Sequence, residues 1–151
     1  MEVLLKMLYF AYGSNMESTQ MQSRCPGYIV LGAARLTNYT LVFTRWSRSW
    51  NSGTADILPD RGKETWGVLY DLSLDDLRRV DRFADYPNSY LRHDLVVELD
   101  GSALAATTYV AVRQGVFAPS RAYLGKMIEG ATGHNLPESY IACLRAITTH
   151  D

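Results

Sequence analysis

The chain has 151 residues, 47% hydrophobic and 21% charged, with a formal net charge of −1. That composition suits one soluble domain (residues 1–151) with a respectable core. The near-neutral balance gives no electrostatic ground for nucleic acid or an anionic membrane as partner, and no apolar stretch approaches the ~20 residues of a membrane span. The N-terminus lacks a basic region followed by a long apolar one, so no signal peptide is expected. Cys25 and Cys143 are the only cysteines, a usage that fits reduced thiols and a cytoplasmic location. His93, His134 and His150 stand at no metal-ligand spacing with them, so neither a metal nor another cofactor is expected. Ten tyrosines and three tryptophans are ample material for lining a pocket.

Val3-Leu4-Leu5 and Met7-Leu8-Tyr9 read as one buried strand, which stops at Gly13-Ser14-Asn15. Gly13 permits unusual backbone angles, and its missing Cβ lets a ligand approach the main chain. Successive N–H groups in such a turn can form a nest for an anion or a carbonyl, although a plain β-turn has the same composition. Residues 16–24 suggest a short helix or helical turn, ended by Cys25-Pro26-Gly27. Tyr28–Leu31 and Leu36–Phe43 read as two strands. Residues 44–52 carry Arg45, Trp46, Arg48 and Trp50 and are expected to form a surface loop near a pocket mouth. Gly53–Leu58 is a strand and Pro59-Asp60-Arg61-Gly62 a turn.

Glu64–Leu72 is a further strand. Ser73 then caps a helix with Asp75 and Asp76 at its positive end and Leu74, Leu77 and Val80 on one face. Residues 83–89 form a loop broken by Pro87. His93–Leu99 and Ala103–Val112 pair as a hairpin through Asp100-Gly101. Ser120 starts a helix ended by Gly130, and residues 137–148 form the last helix. Six or seven strands against three helices argue for an α+β domain on a curved or closed sheet.

Tyr9-Phe10-Ala11-Tyr12-Gly13-Ser14-Asn15-Met16 resembles the opening signature of the γ-glutamylcyclotransferase-like (AIG2-like) family. Gly53-Thr54-Ala55 and Trp66-Gly67-Val68-Leu69-Tyr70 look like its next two strands. Pro119-Ser120, Tyr123, Gly130-Ala131, Leu136-Pro137 and Tyr140 look like its closing segment. The resemblance implies a small mixed barrel with flanking helices. It also implies release of an amine or amino acid from a γ-glutamyl compound by cyclisation to 5-oxoproline. The substrate's α-amine attacks its own γ-carbonyl, so no enzyme nucleophile is required. A small γ-glutamyl molecule is then the partner, and the protein a monomer or homodimer.

The resemblance also assigns residues. Backbone groups of Tyr9, Phe10, Ala11, Tyr12, Gly13 and Ser14, together with Asn15, would hold the glutamyl group and offer oxyanion donors. Tyr109 and Tyr123 would face the pocket and Tyr90 would close it, each also fitting a half-buried packing role. The family's general base is a glutamate in the loop after the first long helix. Registering Asp81, Phe83 and Pro87 puts Ala84 at that place, and a methyl accepts no proton. Three explanations stand: an introduced substitution, a natural loss leaving a γ-glutamyl-binding module, or replacement by Asp85. Asp81 reads as a structural residue of the loop. A further alternative is an interaction protein using the Trp46–Trp50 segment. No Ser-His-Asp or Cys-His framework is visible for hydrolysis.

Overall fold

A computed structural model describes residues 6–151; the apolar run Val3–Leu5 lies outside them. The elements are β1 (Lys6–Ala11), a 3-10 turn (Ser14–Met16), α1 (Ser18–Arg24), β2 (Ile29–Ser47), β3 (Ser52–Ser73), α2 (Leu74–Phe83), β4 (Tyr90–Leu99), β5 (Ser102–Ala111), α3 (Arg121–Gly133) and α4 (Glu138–Arg145). The strands close into a barrel in the order β1-β3-β2-β4-β5. β1 runs antiparallel to β3 and parallel to β5, and the other pairs are antiparallel. The expected α+β architecture, a mixed closed sheet with flanking helices, is therefore the one observed.

The described residues hold five strands, not six or seven, because two of them are very long. β2 has 19 residues and β3 has 22. Their pairing slips at Val30/Gly32, Thr37/Tyr39 and Phe43/Arg45. Gly32 (φ 141°) and Asn38 (φ 65°) are residue types that tolerate such angles. In the sequence they look like strand ends; in the barrel they are bulges that bend one continuous ribbon. The expected turn at Pro59–Gly62 is likewise an excursion within β3. The Gly62 N–H there donates to Asn38 Oδ1 at 3.1 Å. The stretch 44–52 is mostly strand, and only residues 48–51 turn.

α2 forms as its sequence dictates. The Ser73 hydroxyl accepts from the Asp76 N–H, and Leu77 and Val80 are buried. The hairpin turn at Asp100-Gly101 has positive φ at both residues, the geometry that matches strand twist. The core joins Phe10, Leu36, Ile57, Leu69 and Tyr70 of the barrel to Leu77, Met127 and Leu144 of the helices. Both cysteines are free, Cys25 buried and Cys143 exposed. Among the described residues no helix is long and apolar enough to cross a membrane.

Two helix boundaries depart from the sequence reading. The last helix is shorter than residues 137–148, and α3 continues through Gly130 to Gly133. Gly130 does not end its helix. It lets the 3-10 turn approach, since a Cβ there would sit 2.3 Å from the Met16 carbonyl carbon and 2.6 Å from the Glu17 nitrogen. Helix propensity favours alanine over glycine by about 1 kcal/mol, whereas overpacking against backbone costs about 1–3 kcal/mol or more. Gly130→Ala should therefore lower stability by roughly 2 kcal/mol in urea unfolding; a gain in stability would show that α3 and the turn are not in this contact.

Candidate functional site

β1 ends where its pairing with β3 ends, at Ala11↔Val68. Residues 12–15 then turn sharply, with the Met16 N–H donating to Gly13 O at 3.2 Å and the Glu17 N–H to Ser14 O at 3.1 Å. Gly13 has φ −105°, an angle open to any residue. Its role is spatial: an added Cβ would lie 3.1 Å from the Tyr123 hydroxyl and 3.4 Å from Ala55 Cβ.

The turn is pinned on all sides. Asn15 Nδ2 donates to the Tyr9 hydroxyl at 3.0 Å, and its Oδ1 accepts from Gln20 Nε2 at 3.0 Å and Arg24 Nη1 at 2.9 Å. Gln20 also donates to Ser14 Oγ at 2.8 Å, and the Tyr70 hydroxyl donates to Asn15 O at 2.7 Å. The Tyr12 hydroxyl donates to Tyr109 O. Tyr9 stacks on Tyr70 and meets the edge of Tyr109. Phe10 and Ala11 are core residues. The side chains of Tyr9, Tyr12 and Asn15 thus build the turn, and residues 12–15 border the cavity.

Opposite the turn lies Ala55 of β3. β1 covers only residues 68–73 of that strand, so the edge at 52–56 has no strand beside it. Other groups satisfy it. The Tyr123 hydroxyl, in the first turn of α3, accepts from the Ala55 N–H at 3.1 Å. The Tyr90 hydroxyl donates to Ala55 O at 2.9 Å and lies 2.7 Å from the Thr54 hydroxyl. The Gly53 N–H reaches Ala118 O, and the fully buried Asp56 accepts from the Ala111 N–H, the Thr44 hydroxyl and Arg113.

Position 84 is held from one turn earlier. Asp81 accepts from Arg92 Nε at 2.9 Å and from the Tyr109 hydroxyl, binding α2 to β4 and β5. That is the structural part expected of Asp81. Tyr109 lines the cavity, but its hydroxyl is committed to Asp81 rather than presented to a ligand. Ala84 caps the C-terminus of α2, its N–H donating to Val80 O at 2.9 Å. Asp85 adopts φ 51° and accepts from Ser89 Oγ at 2.7 Å. The Ser89 hydrogen bond, with one from Asn88, holds its carboxyl below the usual aspartate range.

These elements enclose one cavity of about 580 Å³, lined among others by Gly13, Ser14, Trp50, Ala84, Tyr90 and Tyr123. All the residues singled out in the sequence reach it except Ala11, which stays in the core. Trp50 meets the Tyr123 ring edge-on at 5.3 Å and forms the rim with Arg45 and Arg48, so the segment expected at a pocket mouth is there. Arg24, Phe83 and Thr54 also line the cavity; Thr54 and Phe83 lie in segments that the family resemblance picks out without giving them a place in a pocket, and nothing in its local sequence marks Arg24. Three arginines against the single carboxylate of Asp85 give the walls a positive balance. Among the described residues no group of three His, Cys, Asp or Glu side chains is placed to hold a metal.

The phenols yield two expectations. Tyr123→Phe leaves the buried Ala55 N–H without its acceptor and should cost about 1–3 kcal/mol in urea unfolding; no loss would mean the bond is replaced. Burial pushes the Tyr9 hydroxyl up to about 12, and the Tyr12, Tyr90 and Tyr123 hydroxyls upward as well. An unfolded tyrosine ionises near 10. Between these values the folded chain holds protons that the unfolded chain has lost, so stability is full below pH ~10 and falls as pH rises toward 12. Urea unfolding at stepped alkaline pH reads this decline, and a flat profile there would contradict it.

The family model for gamma-glutamyl cyclotransferase, AIG2-like, matches residues 9–126. The chain is 28% identical over 153 residues to human gamma-glutamylcyclotransferase, covering 95% of this chain and 80% of that one. Its bovine counterpart is 28% identical over 150 residues, with the same coverage. A solved structure named gamma-glutamyl cyclotransferase superposes with a TM-score of 0.93 at 29% identity, over 97% of this chain and 90% of that one. With more than half its length matched by the family model, the chain belongs to the gamma-glutamyl cyclotransferase, AIG2-like family.

Proposed function

We propose that this cavity is built to cyclise the γ-glutamyl group of a small molecule, releasing an amine or amino acid and forming 5-oxoproline, and that alanine at position 84 leaves it nearly without turnover. What supports the reading is one observation: the Gly13 turn, position 84 and Tyr123 all border the same cavity.

The reaction needs no group on the protein to bond the substrate. The α-nitrogen attacks the γ-carbonyl carbon, the ring C–N bond forms, and the bond to the leaving nitrogen breaks. A base takes the proton from the α-ammonium and returns it to the leaving amine. Folding the glutamyl chain for ring closure is worth up to about 7–11 kcal/mol. The enclosing walls of β1, β3 and α2 supply that constraint. The oxyanion that develops on the γ-carbonyl needs N–H donors, each worth about 3 kcal/mol. The N–H groups past Ala11 stand where the cavity meets the turn. Proton transfer is the missing contribution, because residue 84 ends in a methyl. Asp85 does not replace it: its backbone is in the left-handed region and its carboxylate is taken by Ser89.

A second reading, a γ-glutamyl-binding module without turnover, is favoured by Ala84 itself. The two part on one substitution. Ala84→Glu should raise 5-oxoproline formation from γ-glutamyl donors by about 10²- to 10⁴-fold. If both variants are silent on every γ-glutamyl donor while binding is intact, the catalytic reading gives way to the binding module.

A further inference from the structure

We propose that Arg24 is the anchor for the α-carboxylate of the γ-glutamyl group, a role that rests on the cyclotransferase reading above. Arg24 is the last residue of α1 and is half-buried in the cavity wall. Among the described residues no carboxylate lies in ion-pair contact with it; Asn15 Oδ1 takes one of its five N–H donors. Its guanidinium lies over the Phe83 ring, 4.4 Å from the centroid. A cation drawn partly out of water without a counter-ion is disfavoured until an anion arrives, and burial accordingly pulls its proton affinity down.

Its two neighbours fix where that anion sits. Asn15 belongs to the turn that faces the substrate, and Phe83 immediately precedes position 84. The ammonium and carboxylate of a glutamyl group share one carbon. An anchor for the carboxylate must therefore stand within a few ångströms of the base that takes the ammonium proton. Of the three arginines on the cavity, Arg24 alone sits between the turn and the end of α2. Arg45 lies on the rim and donates to Val112 O, and Arg48 is exposed there. The planar guanidinium keeps its remaining donors for a two-point grip on a carboxylate.

The test uses binding, so it does not depend on turnover. 5-Oxoproline and 2-pyrrolidinone share the lactam ring, and only the first carries the carboxylate. Calorimetry on the chain with Ala84 should show 5-oxoproline bound on the order of 10- to 100-fold more tightly. Arg24→Gln should bring 5-oxoproline down to the level of 2-pyrrolidinone while leaving the latter unchanged. Arg24→Lys should keep part of the difference, and it decides the matter if the glutamine variant does not fold. Equal binding of the two ligands, no binding of either, or a preference undiminished in both Arg24→Gln and Arg24→Lys would overturn the proposal. Silence of Ala84→Glu on γ-glutamyl donors with the ligand preference intact removes the catalytic reading alone. Turnover by Ala84→Glu without any preference removes the anchor alone.

Discussion

The cavity exists because most of β3 has no strand on one side. Its backbone between Ser52 and Asp56 is buried, and buried N–H and C=O groups must find partners. Extending β1 would satisfy them and fill the space. Instead β1 stops at Ala11, and two phenols and the loop before α3 meet the edge one group at a time. The gap that remains beside these substitutes is the cavity. Tyr90 and Tyr123 therefore complete the fold at Ala55 and line the cavity as well. Removing either disturbs both.

A similar double use runs through the rest of the wall. Asn15 links the Gly13 turn to Tyr9, Gln20 and Arg24, so the shape of the turn and the placement of the cavity's inner cation depend on one amide side chain. Asp81 is shared between Arg92 and Tyr109, which fixes the last turn of α2 and with it position 84. Positioning is thus distributed over three elements, each tied to a different part of the barrel. Ala84 itself is held by its N–H bond to Val80 O and borders the cavity.

The sequence disclosed whatever is local. The Ser73 cap, the one-sided apolar face of α2, the Asp100-Gly101 hairpin and the Gly13 turn each carry their cause within a few residues. The family signature then placed the cavity and Ala84. Bulged strands were not legible, because Gly32, Asn38 and Pro59 to Gly62 carry the composition of strand ends. Only the pairing of β2 with β3 makes them bends. Gly130 misled for the same reason: its helix continues because the backbone it admits comes from residues 16 and 17. Arg24 carried no mark either, since its lack of an acidic neighbour among the described residues is a matter of the fold, which a sequence does not record.

The barrel is not equally fastened all round. β2 and β3 share a long ladder, but β2 meets β4 through one bridging pair, Arg35 and Glu98, reinforced by a half-exposed ion pair at 2.7 Å. Ion pairs that accessible hold little against water and salt. The parallel junction of β1 with β5 also rests on a single pair, Tyr9 and Thr107, so two narrow seams join the β1-β3-β2 ribbon to the β4-β5 hairpin. Arg45 of β2 and Tyr90 of β4 both line the cavity, so the pocket draws its wall from both sides of the β2–β4 seam and a change in its width reaches the pocket.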